Sequence, residues 1–101
     1  MPFEAIDALP AVHPGEILAD ELEALGLSIR RFAAHIGVPP NAVSAIINGQ
    51  RSVSPQMAQR LGRAFGTSAR YWMNLQLNHD EKRAREEMQD ALSAIEPLVA
   101  P

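Results

Sequence analysis

Residues 28–49 read SIRRFAAHIGVPPNAVSAIING, and this stretch decides the fold. Ser28 is an N-cap residue type, with a hydroxyl that can accept an orphan N–H of a first helical turn. Behind it Phe32, Ala33 and Ile36 recur at the three-and-four spacing of one helix face, which predicts a helix over about 29–36. Gly37 permits a turn that a Cβ would hinder. Pro39 and Pro40 forbid a helix through this point, yet Pro40 suits the first position of a new one. That helix is predicted over about 40–48, with Val43 and Ile46 inward and Asn48-Gly49 as its stop.

A short helix, a tight glycine turn and a second short helix form the layout of a helix-turn-helix, in which the first helix braces across the DNA backbone and the second enters the major groove. Ala33 is small where the helices must approach, and Val38, Val43 and Ile46 bury the turn and the inner face. The outward candidates on the second helix are Pro40, Asn41, Ala42, Ser44 and Ala45, with Ile47 beside them. Asn41 can pair with adenine through two hydrogen bonds, Ser44 can donate or accept, and the two alanines offer methyl contact to thymine. No arginine here grips guanine, so shape and backbone contacts are expected to contribute heavily. Arg51, just past the stop, is placed to reach a phosphate. Ser28 and Asn41 mark helix N-termini whose N–H groups suit phosphate oxygens, and Arg30 and Arg31 oppose the helix dipole, which favours an anion-binding role. The competing reading of 40–48 is a core helix with a small-residue face.

Outward from this pair the chain reads as further helices. A first helix begins at Pro14, carries Ile17, Leu18, Leu22 and Leu25, and ends at Gly26. Ser54-Pro55 opens a fourth, with Met57, Ala58, Leu61, Ala64 and Phe65 before Gly66, and Ser68 caps a longer fifth bearing Tyr71, Trp72 and Leu75 that continues toward 80–90. Leu92, Ile95 and Leu98 make a last apolar set. The expectation is an all-α fold of five or six helices: an extended arm at 1–12, a helix-turn-helix domain at 13–79, and a helical extension at 80–101 that serves dimerisation.

The net charge of −3 hides a segregation. Residues 1–23 carry six acids and no Lys or Arg; residues 24–79 carry six arginines (Arg30, Arg31, Arg51, Arg60, Arg63, Arg70) and no acid; residues 80–101 carry six acids against Lys82, Arg83 and Arg85. An acid-free central stretch can present a positive field to phosphate; the plainer reading is scattered solvated charge. The acidic arm and first helix either meet a basic protein surface or simply keep the chain soluble.

Other chemistry is excluded or unsupported. Cysteine is absent, so there is no disulfide or thiolate metal site, which fits a cytoplasmic location. His13, His35 and His79 lack ligand partners at metal-binding spacing. No nucleophile constellation or phosphate-cradling glycine loop is present, and no apolar run reaches the ~20 residues of a membrane span. An enzyme, a cofactor, a small-molecule substrate and a membrane partner are therefore not expected.

Residues 13–79 resemble the HigA/VapI-type antitoxins, a branch of the Xre (lambda-repressor-like) helix-turn-helix family. The likeness rests on His13-Pro14-Gly15-Glu16-Ile17-Leu18, Gly37-Val38-Pro39, Asn48-Gly49-Gln50-Arg51, Phe65-Gly66-Thr67-Ser68 and Tyr71-Trp72-Met73-Asn74-Leu75-Gln76. The resemblance implies five helices around a helix-turn-helix, a homodimer on a palindromic operator at its own promoter, and a HigB-type partner of the RelE-like mRNA-cleaving toxin class. It implies base-facing positions at Asn41, Ala42, Ser44 and Ala45 and a backbone contact at Arg51. Ile29 stands where related repressors often place glutamine, and Ala42 and Ala45 where longer polar side chains are common.

Trp72 admits two readings, sealing the core or pairing with a second copy. Dimer contacts are expected from Tyr71, Trp72, Leu75, Leu92 and Ile95, setting two recognition helices roughly 34 Å apart, one DNA turn. Three functions remain in play: an antitoxin that represses its own operon, a free-standing repressor, and a protein-interaction inhibitor without DNA binding.

Overall fold

The structure, a computed structural model, describes residues 12–99, and the arm expected over 1–12 lies outside that range but for its last residue. Among the described residues the chain is all helical: α1 (Pro14–Leu25), α2 (Ile29–Ile36), α3 (Pro40–Ile47), α4 (Pro55–Phe65), α5 (Ala69–Glu87) and α6 (Gln89–Ser93). The boundaries follow local chemistry. Proline occupies the first turn of α1, α3 and α4. Ser28, Ser54 and Ser68 cap α2, α4 and α5, each hydroxyl oxygen accepting the N–H three residues on at 3.1–3.2 Å. Gly37 ends α2 in the left-handed region at φ 74°, where an L side chain would be strained, and its N–H closes the last turn.

The core lies where α1 to α5 converge. Leu18, Leu22, Phe32, Ala33, Val43, Ile46, Ala58, Leu61 and Trp72 form one buried cluster. Phe32 stacks on Phe65 at 5.3 Å between centroids, and Phe65 meets Trp72 at 5.7 Å. Offset rings at such distances add to what their buried area contributes. Gly62 of α4 packs against the turn into α5; a Cβ there would come within 2.9 Å of the Thr67 carbonyl oxygen.

Beyond Asp80 the helix leaves this core. Every described residue from Glu81 onward is exposed except half-buried Lys82. The exposed half of α5 is supported by i,i+4 pairs, Glu81–Arg85 at 3.6 Å and Arg83–Glu87 at 3.2 Å, each contributing only about 0.3–0.5 kcal/mol. Leu92, Ile95, Leu98 and Val99 all face solvent. Among the described residues no helix is long and apolar enough to cross a membrane.

Candidate nucleic-acid interface

Two helix N-termini frame the candidate surface. At α2, Ser28 Oγ accepts the Arg31 N–H at 3.2 Å, while Arg30 and Arg31 are exposed. The first turn of α2 contains no acid, so two guanidinium groups stand at the positive end of the dipole with no counter-charge beside them in that turn. At α3 the N-cap is Pro39, and no side chain caps the first turn. Pro40 has no N–H and the Ala42 N–H donates to the Pro39 carbonyl at 3.0 Å, so the opening donor left to an external acceptor such as a phosphate oxygen is the Asn41 N–H.

On α3 itself Pro40 and Asn41 are exposed, while Ser44, Ala45 and Ile47 are half-buried. Ser44 Oγ donates to the Asn41 carbonyl at 3.3 Å, leaving the Asn41 amide side chain uncommitted along the helix. One expectation is corrected here. Ala42, expected on the outward face, is 7% exposed and belongs to the core. The reason is helical: Ala42 and Ile46 are four residues apart and share a face. The buried side of α3 is wider than the Val43–Ile46 stripe suggested, because both α1 and α2 pack on it. Asn48, read from the sequence only as a stop, is exposed and follows Asn41, Ser44 and Ala45 at helical spacing. The signal was present as the series 41, 44, 45, 48.

After α3 the chain folds back on the helix end. The Gln50 and Arg51 N–H groups both donate to the Ala45 carbonyl, at 2.8 and 3.1 Å, and Arg51 is exposed. Three further contacts hold this surface in place. Gly15 of α1 lies against the C-terminal end of α3, where a Cβ would fall 2.8 Å from the Ile46 carbonyl carbon and 2.9 Å from Ile47 Cα. Arg60 of α4 donates from Nη1 to the Ile36 carbonyl at 2.5 Å, capping the C-terminal end of α2. That guanidinium of the basic run therefore closes a helix within the fold. The buried Gln76 of α5 accepts the Val53 N–H through Oε1 at 2.8 Å, a role that surface periodicity gives no sign of.

Tyr71 (42% exposed), Leu92 and Ile95 lie at the surface, and Leu75 is half-buried. Trp72, expected at a dimer contact, is 1% exposed, and its indole N–H donates to Thr67 Oγ1 at 3.0 Å. It has no face left for a second copy; the stacked Phe32 and Phe65 rings draw it into the core. His35 is exposed on α2. Among the described residues no cluster of metal-ligating side chains occurs.

His13 caps α1 through its ring: Nδ1 accepts the Gly15 N–H at 2.9 Å, and the ring meets His79 edge-on at 4.9 Å. Burial, followed by the neighbouring His79, pushes the His13 pKa below its ordinary value of 6.5; Asp80 and Glu16 oppose this. Protonating Nδ1 would also remove the cap's acceptor. The unfolded chain then binds more protons than the folded one, so this group makes stability fall as pH drops below the ordinary histidine value. His13→Asn, which keeps an acceptor but cannot titrate, is expected to melt with a shallower pH dependence than wild type between about pH 7 and 5. Thermal denaturation across that range checks it; parallel curves would refute the role given to His13.

With this geometry established, the relatives are informative. A helix-turn-helix family model matches residues 18–72. Virulence-associated protein I of Dichelobacter nodosus is 40% identical over 91 residues, covering 89% of this chain and 83% of that protein. The structure of Pseudomonas aeruginosa antitoxin HigA with the higBA promoter superposes with a TM-score of 0.84 at 40% identity, covering 89% of this chain and all of that one. A further P. aeruginosa structure, of a protein in complex with its 18-base-pair operator DNA, superposes at 0.82 with 42% identity over 88% of this chain and 96% of that one. The family they point to is one of helix-turn-helix regulators and antitoxins, not of enzymes. The chain belongs to the Xre/HigA-like branch of the helix-turn-helix family.

Proposed function

We propose that this protein is the antitoxin of a HigBA-like pair: as a homodimer it binds a palindromic operator at its own promoter and represses it, and it neutralises a HigB/RelE-like mRNA-cleaving toxin by complex formation. The observation that carries the DNA half is the surface at 28–51. Two helix N-termini, the exposed Asn41 and the exposed Arg30, Arg31 and Arg51 share one small helix pair and its following loop. Within it Asn41 and Ser44 read base edges, with Ala45 giving methyl contact, and Ser28, Arg30, Arg31, Pro40 and Arg51 lie along the backbone. Solved relatives at about 40% identity hold a promoter or an operator, which supports the same use here. The toxin half rests on kinship with HigA antitoxins. The dimer reading is supported by exposed apolar side chains, Tyr71 on α5, Leu92 on α6 and Ile95 after it, with Leu75 half-buried on α5. A repressor of its own operon works beside the chromosome, so the reading carries a cytoplasmic location with it.

The test is a titration of a duplex spanning the gene's upstream region. Arg51→Ala is expected to weaken binding on every sequence and lower the salt slope by about 1, as loss of one phosphate contact does. Asn41→Ala is expected to cost about 1–3 kcal/mol and to relax specificity at one base position while leaving the salt slope unchanged. Wild-type protein that fails to bind at low salt would overturn the repressor reading in favour of a pure protein-interaction inhibitor. A neighbouring gene for a small basic protein, co-purifying when both are expressed, separates an antitoxin from a free-standing repressor.

A further inference from the structure

Asp80 stands at the junction of two contact chains that both end at the C-terminal side of α3. In the first, Asp80 Oδ1 accepts Gln76 Nε2 at 2.9 Å, and Gln76 Oε1 accepts the Val53 N–H at 2.8 Å across 23 residues of sequence. In the second, Asp80 Oδ1 lies 3.1 Å from His79 Nδ1, the His79 ring meets His13, and His13 caps Gly15, the residue seated against Ile46 and Ile47. Gln76 is a buried polar side chain, 6% exposed, in a core otherwise built from apolar groups.

We propose that Gln76, oriented by Asp80, is a positioning residue for DNA binding: it fixes the segment after α3 that carries Arg51, and so sets where that guanidinium meets the duplex. The inference rests on the operator-binding reading above. A buried amide is unfavourable unless its polar atoms are paired, and an apolar side chain of similar volume would fill the space without that demand. What the amide adds is direction. Its oxygen receives a backbone N–H two residues past Arg51, and its nitrogen is held by a carboxylate that keeps the amide from flipping. Without it, the segment between the Ala45 carbonyl and the Ser54 cap loses its middle anchor.

Two readouts decide it on the full chain, without and with DNA. In Gln76→Met, the Val53 amide is expected to lose protection from hydrogen exchange and the resonances of 48–53 to shift, while the α1 and α2 amides remain protected. The upstream duplex is expected to bind roughly tenfold more weakly at a temperature where the variant is fully folded. Gln76→Glu keeps the acceptor for Val53 but sets a carboxylate against Asp80; it should weaken binding similarly, and adding Asp80→Asn, which restores a donor, should recover most of the loss. If Gln76→Met does not fold, Asp80→Ala, with its side chain 53% exposed, carries the same pair of measurements. Unchanged resonances over 48–53, or wild-type affinity in a variant that merely melts earlier, would overturn the proposal. If wild-type protein itself does not bind the duplex, the repressor reading fails, while the exchange data still judge the anchor.

Discussion

Gly15→Ala is expected to destabilise the protein by about 3 kcal/mol or more, the upper end for overpacking, and, on the operator-binding reading proposed above, to weaken binding of the upstream duplex where α3 is the element displaced. The added methyl group would fall well inside contact distance of the Ile46 carbonyl oxygen, with the Ile46 carbonyl carbon and Ile47 Cα also too close. All three are backbone atoms, so no side-chain rotation relieves the clash. Either the N-terminal turn of α1 lifts away, taking with it the His13 cap, or the end of α3 is pushed outward. The second response moves the surface carrying Asn41 and Ser44. For a chain of this size such a loss lowers the melting temperature by roughly 12–24 °C. Calorimetry and the upstream-duplex titration check the two parts separately. A variant that melts within a few degrees of wild type and binds normally would show that α1 and α3 are not in this close approach.

Trp72→Ala is expected to cost about 3–5 kcal/mol, a large share of what a domain of this size has in hand. The side chain is buried against Phe65, and its N–H reaches Thr67 across the turn that joins α4 to α5. Removing it opens a cavity between the two helices that form the far side of the core. Trp72→Phe keeps most of the ring volume, and exposed Thr67 can turn to water, so a smaller loss is expected there. Chemical denaturation measures both. Folded Trp72→Phe should keep the oligomeric state of wild type by sedimentation, because the indole is 1% exposed and offers nothing to a second copy. A change of oligomeric state at unchanged stability would restore Trp72 to the interface.

Much of this molecule is legible residue by residue. The start of each helix at Pro14, Pro40 and Pro55, the serine caps at 28, 54 and 68, and the glycines that close α1, α2 and α4 all stand where the chain's own chemistry put them. These are events within a single turn, governed by missing N–H groups, orphan donors and permitted φ, so four or five neighbouring residues suffice to specify them. The inward positions Phe32, Ala33, Ile36, Val43 and Ile46 were equally readable, since an apolar stripe at helical spacing has only one way to turn. Exposed Arg30, Arg31 and Asn41 follow from the same periodicity.

What the sequence by itself determined is therefore the first five helices, their order, the helix-turn-helix pair and the acid-free stretch of chain around it. The tertiary structure alone decided that Ala42 turns inward, that Trp72 belongs to one protomer's core, that Arg60 caps α2, and that Gln76 reaches back to Val53. The physical reason is one of range. Capping and periodicity act along a helix, whereas the width of a buried face and the partner of a buried amide depend on which other helix packs there. That partner is supplied by residues 23 or 24 positions away, whose arrival no local pattern encodes.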